Sequence, residues 1–264
     1  MLGAYIGDIV GSIYEHHPIK TKEFPLFSPD SGPTADSVMT CALARVFKTW
    51  AENMQDRSNK SQLSKELVAS MHEFSEMYPN VDYGSRFQIW LQKKETFPYG
   101  SYGNGSAMRC SAAGWFATSL EEAMELGRIS AAVTHNHPEG IKGAKVVAGC
   151  IFLARQKATK EAIRQFAFRY YDLNFTLDAL RPVYHFDATC QGTVPPAIQA
   201  FLEASDFEDA IRNAVSLGGD ADTLAAITGS IAEPFFGIPE AIHKEALARL
   251  DDTLKSVLFP EQLV

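Results

Sequence analysis

The sequence predicts an all-α protein, and three observations carry that expectation. Apolar residues recur at three- and four-residue spacing through most of the chain, the mark of helices with one buried stripe. No run of period-two alternation exceeds about four residues, so no segment reads as a half-buried strand. The periodic segments open on Ser, Thr, Asp or Pro followed by acidic residues, the residue types that begin helices.

The first element is GAYIGDIVGSIYE, residues 3–15. Gly3, Gly7 and Gly11 recur every four residues, which leaves one helix face bare enough to lie against another backbone. Asp8 and Glu15 are seven apart and are expected on roughly the same face, two turns from each other. Helices are predicted over 36–54, 62–78, 119–133, 138–156, 159–171 and 207–217. Their start signals agree: Ser119 precedes Glu121 and Glu122, Thr159 precedes Glu161, and Pro138 suits a first turn. The stretch 221–237 is almost wholly apolar and is expected to be a central, buried helix. Glu233 lies within it and either lines a pocket or reaches solvent. A helix over 239–258 closes the chain. The irregular pieces, 14–35, 79–84, 96–106 and 181–196, hold most of the Pro, Gly and Tyr, and loops on a rigid scaffold are where sites collect. With no internal repeat, low-complexity tract or linker, the expectation is one domain over 1–264.

Of the 264 residues, 46% are hydrophobic and 21% charged, the balance of a soluble globular protein with a sizeable core. The net charge of -8 argues against general affinity for nucleic acid. It leaves room for a phosphate-bearing small ligand held by backbone N–H groups. Cys41, Cys110, Cys150 and Cys190 form no C-x-x-C pair, which removes zinc-ribbon and dithiol chemistry. Cys41 and Cys150, in apolar runs, read as buried small hydrophobes. Neither a signal peptide nor a membrane span is legible. The chain reads as a reduced, cytoplasmic protein with no membrane partner.

Four stretches place polar groups where packing does not need them, besides Asp8 and Glu15. Thr34, Asp36 and Ser37 sit at the start of helix 36–54, where they serve equally as N-caps. Gly103 and Gly105 flank Asn104 ahead of a small-residue helix, a plain turn or a backbone cradle for an anion. His135 and His137 lie between two helices and suit metal ligation, proton transfer or phosphate contact. SLGGDADTLAAITGS, residues 216–230, puts Asp220, Asp222 and Thr223 at the mouth of the apolar helix. One aspartate is a cap; a second, against an apolar helix, is costly without a cation or hydrogen bonds to offset it. Two carboxylates and a hydroxyl are hard oxygen donors, suited to Mg²⁺, Mn²⁺ or Ca²⁺ rather than zinc.

Taken in order, these blocks resemble the ADP-ribosylglycohydrolase family, the group of dinitrogenase reductase-activating glycohydrolase and its relatives. The likeness rests on GxxxGDxxGxxxE from Gly3 to Glu15, a degraded T-D-D-T at 34–37, GNGSAMR at 103–109, TH at 134–135 and GGDADT at 218–223. It implies a single-domain orthogonal helical bundle holding two divalent cations, Mg²⁺ or Mn²⁺. Thr34 and Asp36 would ligate from one side, and Asp220, Asp222 and Thr223 from the other, with Asp222 shared. Glu15 or a metal-side aspartate such as Asp36 would act as general base. Gly103, Asn104, Gly105, Ser106 and Met108, with His135, Gly218 and Gly219, would hold the ligand, the GNGSAM turn taking its pyrophosphate. Tyr99 and Tyr102 are candidate flanks for the adenine or ribose. The implied partner is ADP-ribose, or a protein or small molecule carrying it. The implied reaction is metal-assisted hydrolysis of the glycosidic bond to an acceptor, foremost an arginine guanidinium on a protein.

The sequence departs from the family at Ala35, which stands where the pattern has an aspartate. A methyl group binds no cation, so hydrolysis is expected to be impaired. Two readings follow: an Asp→Ala form made to trap a ligand, or a non-catalytic ADP-ribose-binding protein with Ala35 as its mark. A third reading, a helical interaction protein whose aspartates are only caps, does not account for GNGSAM and GGDADT in one chain.

Overall fold

In the computed structural model, residues 1–52 and 59–259 are described. The helices in chain order are α1 (Leu2–Gly11), α2 (Ala35–Glu52), α3 (Lys60–Met77), α4 (Ser85–Gln92), α5 (Gly105–Met108), α6 (Ser111–Phe116), α7 (Leu120–Ala132) and α8 (Pro138–Arg155). They continue with α9 (Lys160–Phe168), α10 (Leu177–Leu180), α11 (Cys190–Glu203), α12 (Phe207–Val215), α13 (Ala221–Phe236), α14 (Glu240–Leu247) and α15 (Asp252–Lys255). Among the described residues there is no strand, only an isolated bridge between Gly103 and Thr189. Among the described residues no helix is long and apolar enough to cross a membrane. The expected positions 53 and 54 at the end of α2 lie outside the described residues.

Capping follows the sequence signals. Ser119 accepts from the Glu122 N–H and Thr159 from the Ala162 N–H, and Pro138 opens α8 behind His137. The central helix is α13, buried from Ala221 to Pro234. It packs on α1, α8, α11 and α12. The α1–α13 contact uses the bare glycine face. A Cβ at Gly3, Gly7 or Gly11 would run into the backbone of Gly229, Ala225 or Asp222 respectively. That approach sets Gly11 directly against Asp222. Glu233 does not line the cleft; its carboxylate accepts from the Gly3 N–H at 2.9 Å and the Met1 amine at 2.9 Å.

Three of the differences from the sequence expectation have a clear local cause. The first helix ends at Gly11, where Ser12 turns its hydroxyl onto the Ile9 carbonyl at 2.9 Å, so Glu15 sits on the following turn and not on the helix face of Asp8. The stretch 181–196, read as irregular, contains the start of α11, whose Pro195 and Pro196 lie inside the helix. Pro196 cannot donate to the Gly192 carbonyl; the Tyr184 hydroxyl takes that carbonyl instead, at 3.0 Å. The expected helix 239–258 is two pieces, because Asp251 caps a new start by accepting from the Leu254 N–H.

The strap 14–35 is fastened by its neighbours. Lys20 Nζ donates to the Tyr184 and Leu217 carbonyls at 2.6 and 2.5 Å. Arg212 donates to the carbonyls of Lys22 and Phe24 at 3.0 and 2.7 Å. These ties hold Glu15 at one end of the strap and Thr34 at the other over the same side of α13.

Candidate active site

A cleft of about 560 Å³ opens where α1, α2 and α13 meet at their polar ends. Asp8, on α1, is fully buried and takes four donors from the start of α2. Its Oδ2 accepts from the Thr34 and Ser37 N–H groups, each at 2.9 Å. Thr34 Oγ1 donates to Oδ1 at 2.6 Å, and the Ser37 hydroxyl donates to Oδ2. An acid from one helix thus caps another, where the N-terminal dipole favours negative charge. Beside it, Thr223 Oγ1 on α13 donates to Asp36 Oδ2 at 2.8 Å. Thr34 Oγ1 also lies 3.5 Å from Asp222 Oδ2. Carboxylate oxygens of Glu15, Asp220 and Asp222 come within 4.8 Å of one another. Residues from opposite ends of the chain therefore form one acidic end of the cleft.

Packing so many acids together has an electrostatic consequence. Burial, then the charges of Asp8 and Asp220, push the Asp36 carboxyl well above the usual range. Burial, then Asp36 and Asp220, do the same to Asp222. Glu15 is raised by burial and by Asp220. Asp8 is raised by burial, against the pull of its hydrogen bonds. No Lys or Arg among the described residues pairs with any of these acids. The opposite wall is basic: Arg86, Arg109 and His135 line it with Tyr99. Arg86 donates to the Tyr99 carbonyl at 2.7 Å and stacks over its ring.

A sequence model of the family described as ADP-ribosylglycohydrolase matches residues 1–263. This chain belongs to the ADP-ribosylglycohydrolase family. Among its relatives is ADP-ribosylhydrolase ARH3 of Homo sapiens, 27% identical over 91% of this chain and 85% of that protein. ADP-ribosylarginine hydrolase Tri1 of Pseudomonas putida is 26% identical over 98% of this chain and 76% of its own length. The ADP-ribosyl-[dinitrogen reductase] glycohydrolase of Rhodospirillum rubrum is 28% identical over 59% of this chain and 54% of that protein. A solved structure named as an ADP-ribosylglycohydrolase-related protein complex superposes with a TM-score of 0.68 at 23% identity, covering 100% of this chain and 97% of the other. It shares the all-helical architecture expected of an ADP-ribosylglycohydrolase.

With the ADP-ribosylglycohydrolase blocks placed in space, most of the residues singled out from the sequence come together. Glu15, Thr34, Ala35, Asp36, Asp220, Asp222 and Thr223 all line the cleft, as do Gly103, Asn104, Gly105, Met108, His135 and Tyr99. Four do not. Ser106 is fully buried, spends its hydroxyl on the Gly140 carbonyl at 2.8 Å and is not part of the cleft lining. Gly218 and Gly219 take φ of 67° and 78° and face Lys20 and His185. They supply the left-handed turn that delivers Asp220 rather than a ligand surface. Tyr102 projects outward against His137. Asn104 lines the cleft with its amide nitrogen already committed, donating to Asp220 Oδ2 at 2.7 Å and Thr193 Oγ1 at 3.0 Å; it orients an acid of the family motif. Asp8 is the residue the sequence reading left out of the site. Its signal was its place in GxxxGDxxG, but its four donors lie 26 and 29 positions away.

Proposed function

We propose that this protein hydrolyses the glycosidic bond joining ADP-ribose to an acceptor, with two divalent cations, Mg²⁺ or Mn²⁺, at the acidic end of the cleft. The observation that carries this reading is the group of buried carboxylates with no Lys or Arg among the described residues to pair with them. Buried acids without a counter-charge are costly, and an all-oxygen donor set fits hard cations. Thr34, Asp36, Asp220, Asp222 and Thr223 would hold them. When bound, such ions supply Lewis-acid charge for sugar hydroxyls and water.

The chain's own residues do the rest. Glu15, whose carboxyl is raised by its surroundings, would take a proton as general base. The buried carboxylates favour an oxocarbenium-like state at the sugar. In the Gly103–Gly105 turn the Gly103 and Asn104 N–H groups are already given to Ser101 Oγ and the Ala188 carbonyl, at 3.2 and 2.8 Å, so the Gly105 N–H is the one that would meet the diphosphate, next to His135. An arginine guanidinium on a protein is the acceptor we favour, in keeping with the name of the relative Tri1, an ADP-ribosylarginine hydrolase. Ala35 puts a methyl group on the cleft wall beside Asp36, and we take this form to be impaired in turnover while keeping its ligand site. That same methyl favours the second reading, a non-catalytic ADP-ribose-binding protein.

The deciding experiment assays Ala35→Asp and the unaltered chain on ADP-ribosyl-arginine and ADP-ribosyl-serine peptides, with Mg²⁺, Mn²⁺ or chelator. Metal-dependent release of ADP-ribose by Ala35→Asp, at least about tenfold above the unaltered chain, supports the hydrolase. ADP-ribose binding without turnover in either form supports the binding protein.

A further inference from the structure

The basic wall of the cleft contains a directed chain of hydrogen bonds. Arg109 is 1% exposed and forms no ion pair with any acid among the described residues. One guanidinium nitrogen donates to the Ser130 carbonyl at 3.1 Å and to Thr134 Oγ1 at 2.5 Å. Thr134 Oγ1 lies 2.8 Å from His135 Nδ1. A guanidinium only donates, so Thr134 Oγ1 accepts from Arg109. Thr134 is 0% exposed, and its hydroxyl has no other acceptor among the described residues. A buried hydroxyl proton left unpaired is costly. The arrangement that pairs the Thr134 proton has Thr134 donating to His135 Nδ1, which therefore carries no proton.

The other ring nitrogen is then the protonated one. Nε2 has no partner among the described residues and sits over the glycine turn, 3.5 Å from where a Cβ of Gly103 or Gly105 would lie. His135 is 5% exposed and lines the cleft. We propose that Arg109 and Thr134 are positioning residues that fix His135 as a neutral imidazole, its Nε2–H aimed into the cleft as a donor to a phosphate oxygen. His135 then binds and orients without giving up or taking a proton during the reaction. The identity of the acceptor as phosphate rests on the ADP-ribose reading above; the tautomer does not.

The groups facing the ring agree. Arg109 after α5 and Arg86 on α4 place positive charge near it, and Tyr99 adds a phenol ring at 5.9 Å. Burial first, then those two arginines, hold His135 well below the ordinary histidine value. Burial also pulls the Arg109 guanidinium down to about 10, which leaves it charged at neutral pH.

Long-range proton–nitrogen correlation spectra of histidine-labelled protein test this, with His135 assigned through His135→Gln. The expected result in the ligand-free chain is an Nε2–H tautomer that stays neutral between about pH 5.5 and 8. Thr134→Val removes the donor to Nδ1 and should admit the Nδ1–H tautomer and weaken ADP-ribose binding about tenfold. Thr134→Ser should restore both. An Nδ1–H tautomer or a titrating imidazolium in the unaltered chain overturns the proposal, as does an unchanged tautomer in Thr134→Val. If ADP-ribose binds no variant, the ligand reading fails while the spectra still decide the tautomer.

Discussion

Thr223 Oγ1 donates a hydrogen bond of 2.8 Å to Asp36 Oδ2, joining positions 187 residues apart in the sequence. The bond spans the first turns of α13 and α2 and fixes the orientation of a buried carboxylate. Thr223→Val keeps the shape and removes the donor. Hydrogen bonds to charged groups contribute about 1.5–3 kcal/mol, so cation binding should weaken roughly tenfold or more. Titration calorimetry with Mn²⁺ on both forms measures this; equal affinities would mean that Thr223 neither ligates nor orients.

The raised carboxyls of Asp36 and Asp222 make the metal-free protein sensitive to pH. Both acids have folded values above their unfolded ones, so the folded state binds more protons. Stability from this source is highest at low pH and declines as pH rises through the window between the unfolded and folded values. With chelator, the melting temperature should therefore fall between about pH 5 and 8. Mg²⁺ or Mn²⁺ should raise it, and by more at the higher pH, because the cations offset carboxylate charge. Asp222→Asn should flatten the chelated profile. Thermal melts across pH, with and without cation, provide the comparison.

What the sequence revealed of this site, and what it hid, separates by the range of the interactions. That Thr34, Asp36, Asp220, Asp222 and Thr223 share one cleft was legible from the family blocks to which they belong. The burial of α13 was legible from its composition. The capping of α2 by Asp8 was not, because its donors arrive through the tertiary fold. The inward turn of the Ser106 hydroxyl was not legible either, because a single helical turn decides whether it faces the cleft or the Gly140 carbonyl. The start of α11 was hidden by Pro195 and Pro196, whose missing donors are compensated in part by Tyr184, a residue outside that helix.

All four cysteines are free and fully buried. Burial pushes the thiols of Cys41 and Cys190 up to about 12 and raises those of Cys110 and Cys150 as well. A thiol in that state presents almost no thiolate at neutral pH. Ellman's reagent at about pH 8 should label none of them in the native protein within minutes, and all 4 after denaturation. Rapid labelling of a native thiol would show that its helix opens readily.

The approach of α1 to α13 depends on hydrogen in place of a side chain at Gly7. A Cβ there would penetrate the Ala225 carbonyl and the peptide that follows it. These atoms belong to the buried centre of α13 and cannot move aside as a flexible side chain would. Gly7→Ala should therefore destabilise the protein by about 3 kcal/mol, the upper part of the range for overpacking, despite the better helix propensity of alanine. The displacement would be felt at the site as well, since the same interface sets Gly11 against Asp222, and cation affinity should fall with stability. Gly32→Ala is the control, because nothing lies within 4 Å of its added Cβ. Urea unfolding of the three forms gives the result: a Gly7→Ala midpoint equal to that of Gly32→Ala would mean that the two helices are not in backbone contact.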